Sequence, residues 1–278
     1  MNLVNAVLTN LTELLWYPLR PLPGVLVLVI WAAIAGALAG LMFRYTSNQK
    51  ALARVGDQIK ANLLAMRLFK DDLRVTFRSQ AGLLKAAGLR FWYALPAFVA
   101  MLVPFVLLLV QLALRFEYRP LRPGEVAIVE LKLAPEAWET GQNAALETPP
   151  GVIIQTPALR DARENAIYWR ISPQDGATSG RLRWQVAGQT VEKELAVCDD
   201  PQRPCTVSMQ RPGVSFWDRL LHPGEPAFPA DSPVRAAIVH YPPRQTPVFG
   251  FDIPWWATFL VASILMAFVL KPVLKVRF

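Results

Sequence analysis

Ten Lys/Arg against three Asp/Glu fall within residues 44–90, and this basic segment lies between two uncharged stretches, 22–43 and 91–114. At about 1.5 Å per helical residue, roughly 20 residues cross a hydrocarbon core of about 30 Å, so each stretch predicts a transmembrane helix. A third apolar run falls in residues 251–270, and the tail 271–278 adds Lys271, Lys275 and Arg277. Short cytoplasmic loops are enriched in Lys/Arg, which places 44–90 and the tail inside a bacterial cell. The expected topology has the N-terminus outside, residues 115–250 outside, and the C-terminus cytoplasmic. The first apolar run begins only at residue 22, has no basic leader and is too long for the core of a cleaved signal peptide.

The chain has 278 residues, 53% hydrophobic and 18% charged, with a net charge of +8. A global basic balance would point to nucleic acid, but this one is local. Residues 116–250 carry 14 basic and 16 acidic side chains, so the excess belongs to the loop and the tail. It fits orientation in an inner membrane and contact with anionic lipid, each cation contributing about 1 kcal/mol at the surface. Ribosomal RNA is the alternative anionic partner; DNA is not expected.

Residues 1–21 place Leu3, Val7, Leu11, Leu14 and Leu15 on one side of a helix, with Trp16 and Tyr17 at headgroup level. That predicts an interfacial amphipathic segment. Beyond the first span, Leu52, Val55, Ile59, Leu63, Met66, Phe69, Leu73 and Phe77 recur at steps of three and four, a coiled-coil seam. One straight helix over 46–88 would end about 60 Å from the membrane, yet residue 91 must be back at its surface. The seam therefore folds into an antiparallel hairpin over 44–90. Its turn falls near Lys70–Asp72, with Asp71 or Asp72 as a cap, and Gly82 and Gly88 loosen the return arm. Arg54, Lys60, Arg67, Lys70, Arg74 and Arg78 form its basic face. Pro96 and Pro104 interrupt the second span and require packing partners for the released carbonyls.

Composition changes at Arg115. Short, partly alternating runs at 124–133, 151–156, 166–171, 181–188, 189–197, 206–210 and 234–241 are separated by Pro/Gly/Asp turns. This predicts an all-β, sandwich-like domain on the outer side. Residues 216–221 suggest a short helix resting on the sheet or on the membrane. Cys198 and Cys205, seven apart in a Pro- and Asp-rich loop, permit a disulfide in an oxidising compartment. The two histidines, His222 and His240, stand apart, and no nucleophile elbow, phosphate loop or zinc motif occurs. No metal, cofactor or catalytic residue is expected, and an enzyme is the weaker class of answer.

Two polar positions mark the spans. Arg44 ends the first, followed by Thr46, Ser47, Asn48, Gln49 and Lys50; Gln111 lies toward the outer end of the second. Arg44 either snorkels to the inner surface or faces a wet recess between the spans, which Ser47 and Gln49 would keep hydrated. The order of these parts resembles the YidC-type and Oxa-type membrane insertases, whose relatives include the third subunit of the endoplasmic-reticulum membrane complex. Arg44 resembles the groove Arg, Gln49-Lys50 the pair that opens the hairpin, and LPAFVAMLVPFVLLL the Pro-punctuated next span. The resemblance covers residues 1–115 and the last span. It implies a hydrophilic groove, and nascent membrane proteins or the ribosome as partners. The β domain takes the place of the two further spans found in ordinary bacterial insertases. A non-catalytic scaffold, binding a periplasmic or membrane protein through that domain, is the competing expectation.

Overall fold

The computed structural model describes residues 12, 14–19, 21–69, 72–198, 205–245, 247–248 and 250–274. The expectations for residues 1–11, Lys70, Asp71, Lys275 and Arg277 lie outside them. In chain order, α1 (Gly24–Thr46), α2 (Gln49–Leu68) and α3 (Leu73–Phe116) come first. There follow β1 (Ala127–Leu133), a one-turn α4 (Trp138–Gly141), β2 (Ala145–Glu147), β3 (Val152–Ile154) and β4 (Leu159–Asp161). Next come β5 (Ala166–Pro173), β6 (Gly180–Val186), β7 (Gln189–Leu195), β8 (Gln210–Arg211), α5 (Phe216–Leu221) and β9 (Val234–Val239). A small hairpin, β10 (Pro247–Val248) and β11 (Phe251–Asp252), precedes α6 (Trp255–Leu274). Three of the helices, α1, α3 and α6, are long and apolar enough to cross a membrane.

Two compact units result: residues 28–106 with 256–278, and residues 1–27 with 107–255. In the first, α1 and α6 cross so closely at Gly36 that a Cβ there would lie 2.3 Å from the Ser263 carbonyl oxygen. Only a residue without a side chain fits, the small-residue logic of helix packing in lipid. Phe259 is buried against Phe105 of α3, ring centroids 5.6 Å apart. The opposite faces stay apolar and uncovered: Val29, Ile34 and Leu38 on α1, Val99, Leu102 and Val103 on α3, Val261, Leu265 and Val269 on α6. Helices exposing aliphatic side chains along their outer faces match hydrocarbon rather than water.

Helices α2 and α3 form an antiparallel pair. Asp72 caps the return, its Oδ1 accepting from the Arg74 and Val75 amides at 2.9 and 3.2 Å. The return arm and the second span are one helix of 44 residues, about 66 Å long, running through Gly82, Gly88, Pro96 and Pro104. Gly82 does not loosen it. A Cβ there would meet Asn62 Oδ1 at 2.8 Å, so the glycine lets the two arms approach. The seam is closed only at its base: Leu52 and Val55 are buried, while Leu63, Phe69, Leu73 and Phe77 are exposed. A lone two-helix hairpin offers each arm one partner, too little to cover a stripe this wide.

In the second unit, one sheet runs β3-β5-β1-β9-β8, with β4 also pairing β5, and another runs β2-β6-β7. All pairings within these sheets are antiparallel. Their inner faces share one core, with Val129, Leu131, Ile167 and Trp169 from the larger sheet and Leu146, Leu182, Trp184 and Leu195 from the smaller. Trp169 and Trp184 meet across the layers at 6.3 Å. Sequence alternation places β1, β5, β6, β7 and β9. The two-residue turn between β6 and β7 is Ala187-Gly188, both at positive φ (47° and 78°), the primed geometry that suits a twisted hairpin. Residues 206–210 contribute only the start of the two-residue β8, and β2 and β4, three residues each, carry too little alternation to be read from sequence.

Candidate functional site

The junction of α1 with the hairpin is built by short polar residues acting locally. Ser47 Oγ donates to the Phe43 carbonyl at 2.5 Å, closing α1, and Asn48 Oδ1 accepts from the Ala51 amide at 3.0 Å, opening α2. Gln49 Nε2 donates to Ser47 Oγ at 2.5 Å. The structure thus brings Ser47 and Gln49 together. It leaves Arg44 exposed, its guanidinium 5.8 Å from the Tyr45 ring, and Lys50 exposed as well. Gln111 is buried and belongs to the other unit. Arg54, Lys60, Arg67, Arg74 and Arg78 are all exposed, with Lys60 3.6 Å from Asp57.

Beside this junction the hairpin base opens into a recess of about 330 Å³, lined by Phe43, Ile59, Ala87, Arg90, Phe91, Ala94 and Phe98. Its floor continues into a small apolar cluster of Phe43, Leu52, Ala94 and Ala97. One side chain in the lining is charged. Arg90 lies across Gly56, where a Cβ would sit 3.4 Å from Nη1, so the absent side chain on α2 makes room for the guanidinium. A permanent cation against aromatic and aliphatic walls attracts a carboxylate or a polar chain more strongly than the same cation in open water. Sequence reasoning passed over Arg90, counting it among the loop charges. Its position directly before the second apolar run, with Gly56 in the facing arm, was the available signal.

Above the recess, Leu63, Leu64, Leu68, Phe69, Leu73 and Phe77 lie exposed near the hairpin turn, interleaved with Lys60, Arg67, Arg74 and Arg78. Exposed apolar side chains in such number are the composition of a contact surface.

The β unit holds two polar clusters that spacing along the chain could not reveal. Lys193, fully buried, donates from Nζ to Glu225 Oε1 at 2.5 Å and to the Ser208 carbonyl at 2.8 Å, while the Glu194 amide donates to Glu225 Oε2 at 2.9 Å. Burial pushes the Lys193 ammonium below the usual lysine range, against the opposing pull of Glu225. On the outer face of the larger sheet, Glu130 Oε2 lies 3.0 Å from His240 Nε2, and its Oε1 is 3.2 Å from Lys132 Nζ and 3.5 Å from the Tyr168 hydroxyl. Partial burial and the Glu130 charge raise the Tyr168 phenol above its ordinary value. Cys198 and Cys205, both half-buried, flank residues 199–204, which lie outside the described set. No group of three or more His, Cys, Asp or Glu among the described residues is placed to hold a metal ion.

Comparison of the chain with family models, with curated proteins and with solved structures gives no match.

Proposed function

We propose that this chain is an insertase-like membrane protein that assists insertion or folding of other membrane proteins, acting without covalent chemistry. In this reading the hairpin stands in the cytoplasm of a bacterial inner membrane, with the β unit and the N-terminus on the periplasmic side. The observation that carries it is the recess at the hairpin base, an apolar pocket with a single guanidinium beside apolar helices whose outer faces are bare. The order of parts resembles the insertase superfamily, a helical hairpin between the first two spans and a third span closing the core. The exposed apolar and basic tip of the hairpin is the surface that would meet a nascent chain or the ribosome. A charged side chain at mid-bilayer costs about 2.5–3.5 kcal/mol on insertion scales, so a groove with one counter-charge lowers the barrier for a short acidic tail appreciably.

The test is Arg90→Ala in vesicles, following insertion of a membrane protein with a short acidic external tail. Insertion falls about fivefold, corresponding to roughly 1 kcal/mol of lost attraction, while Arg44→Ala has the smaller effect. Unchanged insertion at normal protein level would contradict the role of Arg90. The competing reading, a scaffold subunit binding a partner through the β unit, rests on exposed Ile128, Ile153 and Leu159 around the Glu130 cluster. It predicts a copurifying partner that is lost with Ile153→Asp and retained with Arg90→Ala.

A further inference from the structure

Between Pro212 and Phe228 the β unit carries a loop whose base and tip are built in opposite ways. The base is locked. The Phe228 amide donates to the Pro212 carbonyl at 2.9 Å, and Arg211 Nε donates to the Pro226 carbonyl at 2.9 Å with its guanidinium 4.2 Å from the Phe228 ring. Glu225 is clamped by Lys193 and the Glu194 amide, as above. Gly213 runs so close to β9 that a Cβ would lie 2.3 Å from the Arg235 carbonyl oxygen.

The tip is bare. Helix α5 has no buried residue; Phe216 and Trp217 meet edge-on at 5.2 Å and are 54% and 65% exposed, and Val214 and Leu221 are each 50% exposed. A helix of six residues has no stability of its own. Here it is held at both ends, with Phe216, Trp217 and Leu221 left exposed.

Its height follows from the next residues. Gly224 packs on α3, where an added Cβ would lie 3.0 Å from Leu114 Cδ2, and the Val207 amide donates to the Leu114 carbonyl at 2.8 Å. Leu114 is the last apolar residue of α3 before Arg115. Gly224 lies three positions after Leu221, a reach of at most about 11 Å. Trp16, Phe116 and Trp255 cluster at this same helix end, as aromatic residues do at an interface.

We propose that α5 is a lipid-interface anchor, inserting Val214, Phe216, Trp217 and Leu221 at the boundary of headgroups and acyl chains beside the exit of α3. The occupant is the bilayer itself, with Asp218 and Arg219 left at headgroup level. The inference rests on α3 spanning a membrane, and the experiment separates the two claims. The full chain carries Trp217→Cys with Cys198→Ser and Cys205→Ser, is labelled with a bimane and reconstituted in phosphatidylcholine vesicles. Nitroxides are placed either near the headgroup or near the acyl chain end. Control labels replace Val103 on α3 and the exposed Gln189 on the β6–β7 hairpin.

The label at 217 is quenched by shallow nitroxides at least about twofold more than the label at 189, and the label at 103 by deep ones. Quenching at 103 with none at 217 above the level at 189 overturns the anchor alone; absence at both overturns the spanning reading as well. Protection of 217 that depends on protein density, without nitroxide quenching, assigns the surface to a second copy and overturns the proposal. A photoreactive residue at 217 in the native-cysteine chain, scored for lipid adducts by mass, probes the same contact without altering Cys198 or Cys205: adducts support the anchor, and their absence counts against it.

Discussion

The β unit and the helical unit handle apolar and polar groups in opposite ways. In the β unit, apolar residues of both sheets close into one core, and even a buried ion pair, Lys193–Glu225, is completed by backbone groups, the Ser208 carbonyl accepting from Lys193 and the Glu194 amide donating to Glu225. In the helical unit, the apolar faces of α1, α3 and α6 and the tip of the α2–α3 hairpin are left open. Outside α5 and the exposed Ile128, Ile153 and Leu159, the first is finished by its own chain. The second leaves its faces to something else, on our reading lipid along α1, α3 and α6 and a client along the hairpin. Satisfied buried groups are where stability resides; uncovered apolar groups are where partners bind.

The contrast can be broken first at Glu225. Glu225→Gln leaves the Lys193 ammonium buried without its counter-charge, and unfolding of the β unit in denaturant should show a loss of about 3–5 kcal/mol. A loss below about 1 kcal/mol would mean that the pair is solvated in practice. In the helical unit, Gly36→Val forces α1 away from α6 and should cost about 1–3 kcal/mol of thermal stability in detergent, the range for overpacking. The β-unit transition should stay in place, and a shift in it would show the two units to be energetically linked.

The mildest effect is acid-dependent. Arg119 holds the Glu125 carboxyl below its usual value of 4.5 through two hydrogen bonds of 2.8 Å. A depressed carboxylate stabilises above its unfolded value and loses that contribution as pH falls through the folded one. Stability of the β unit should therefore decline as pH drops below 4.5, and Arg119→Ala should flatten that slope. An unchanged slope would assign the acid sensitivity to other groups.

Much of this was legible along the chain because it depends on local pattern. Uncharged runs of 18 or more residues set the three long apolar helices, a seam too long for its loop demanded a turn, and Asp72 supplied the cap where the turn had to be. Alternation placed the longer strands. In QTVEKELAV it also set Lys193 in phase with Val191 and Leu195 on the inward face, a sign of the buried ion pair that pattern reading passes over. The rest required distance in sequence to become distance in space. Glu225 meets Lys193 from 32 residues away, and His240 meets Glu130 from 110. The recess at Arg90 needed Gly56 and the unbroken α3 to be seen together. Continuity of α3 was hidden because glycine and proline argue for breaks, whereas packing against Asn62 makes the glycine at 82 useful.

Central to the proposed activity is a hairpin base that receives a passing chain, and site-specific photocrosslinking tests this most directly. A photoreactive residue at Phe91, in the recess, and another at Ile153, on the sheet, are compared in the full chain in membranes during synthesis of a short-tailed membrane protein. Insertase-like action predicts nascent-chain adducts at 91 and none at 153. Adducts at 153 with none at 91 would contradict it and leave the scaffold reading in its place.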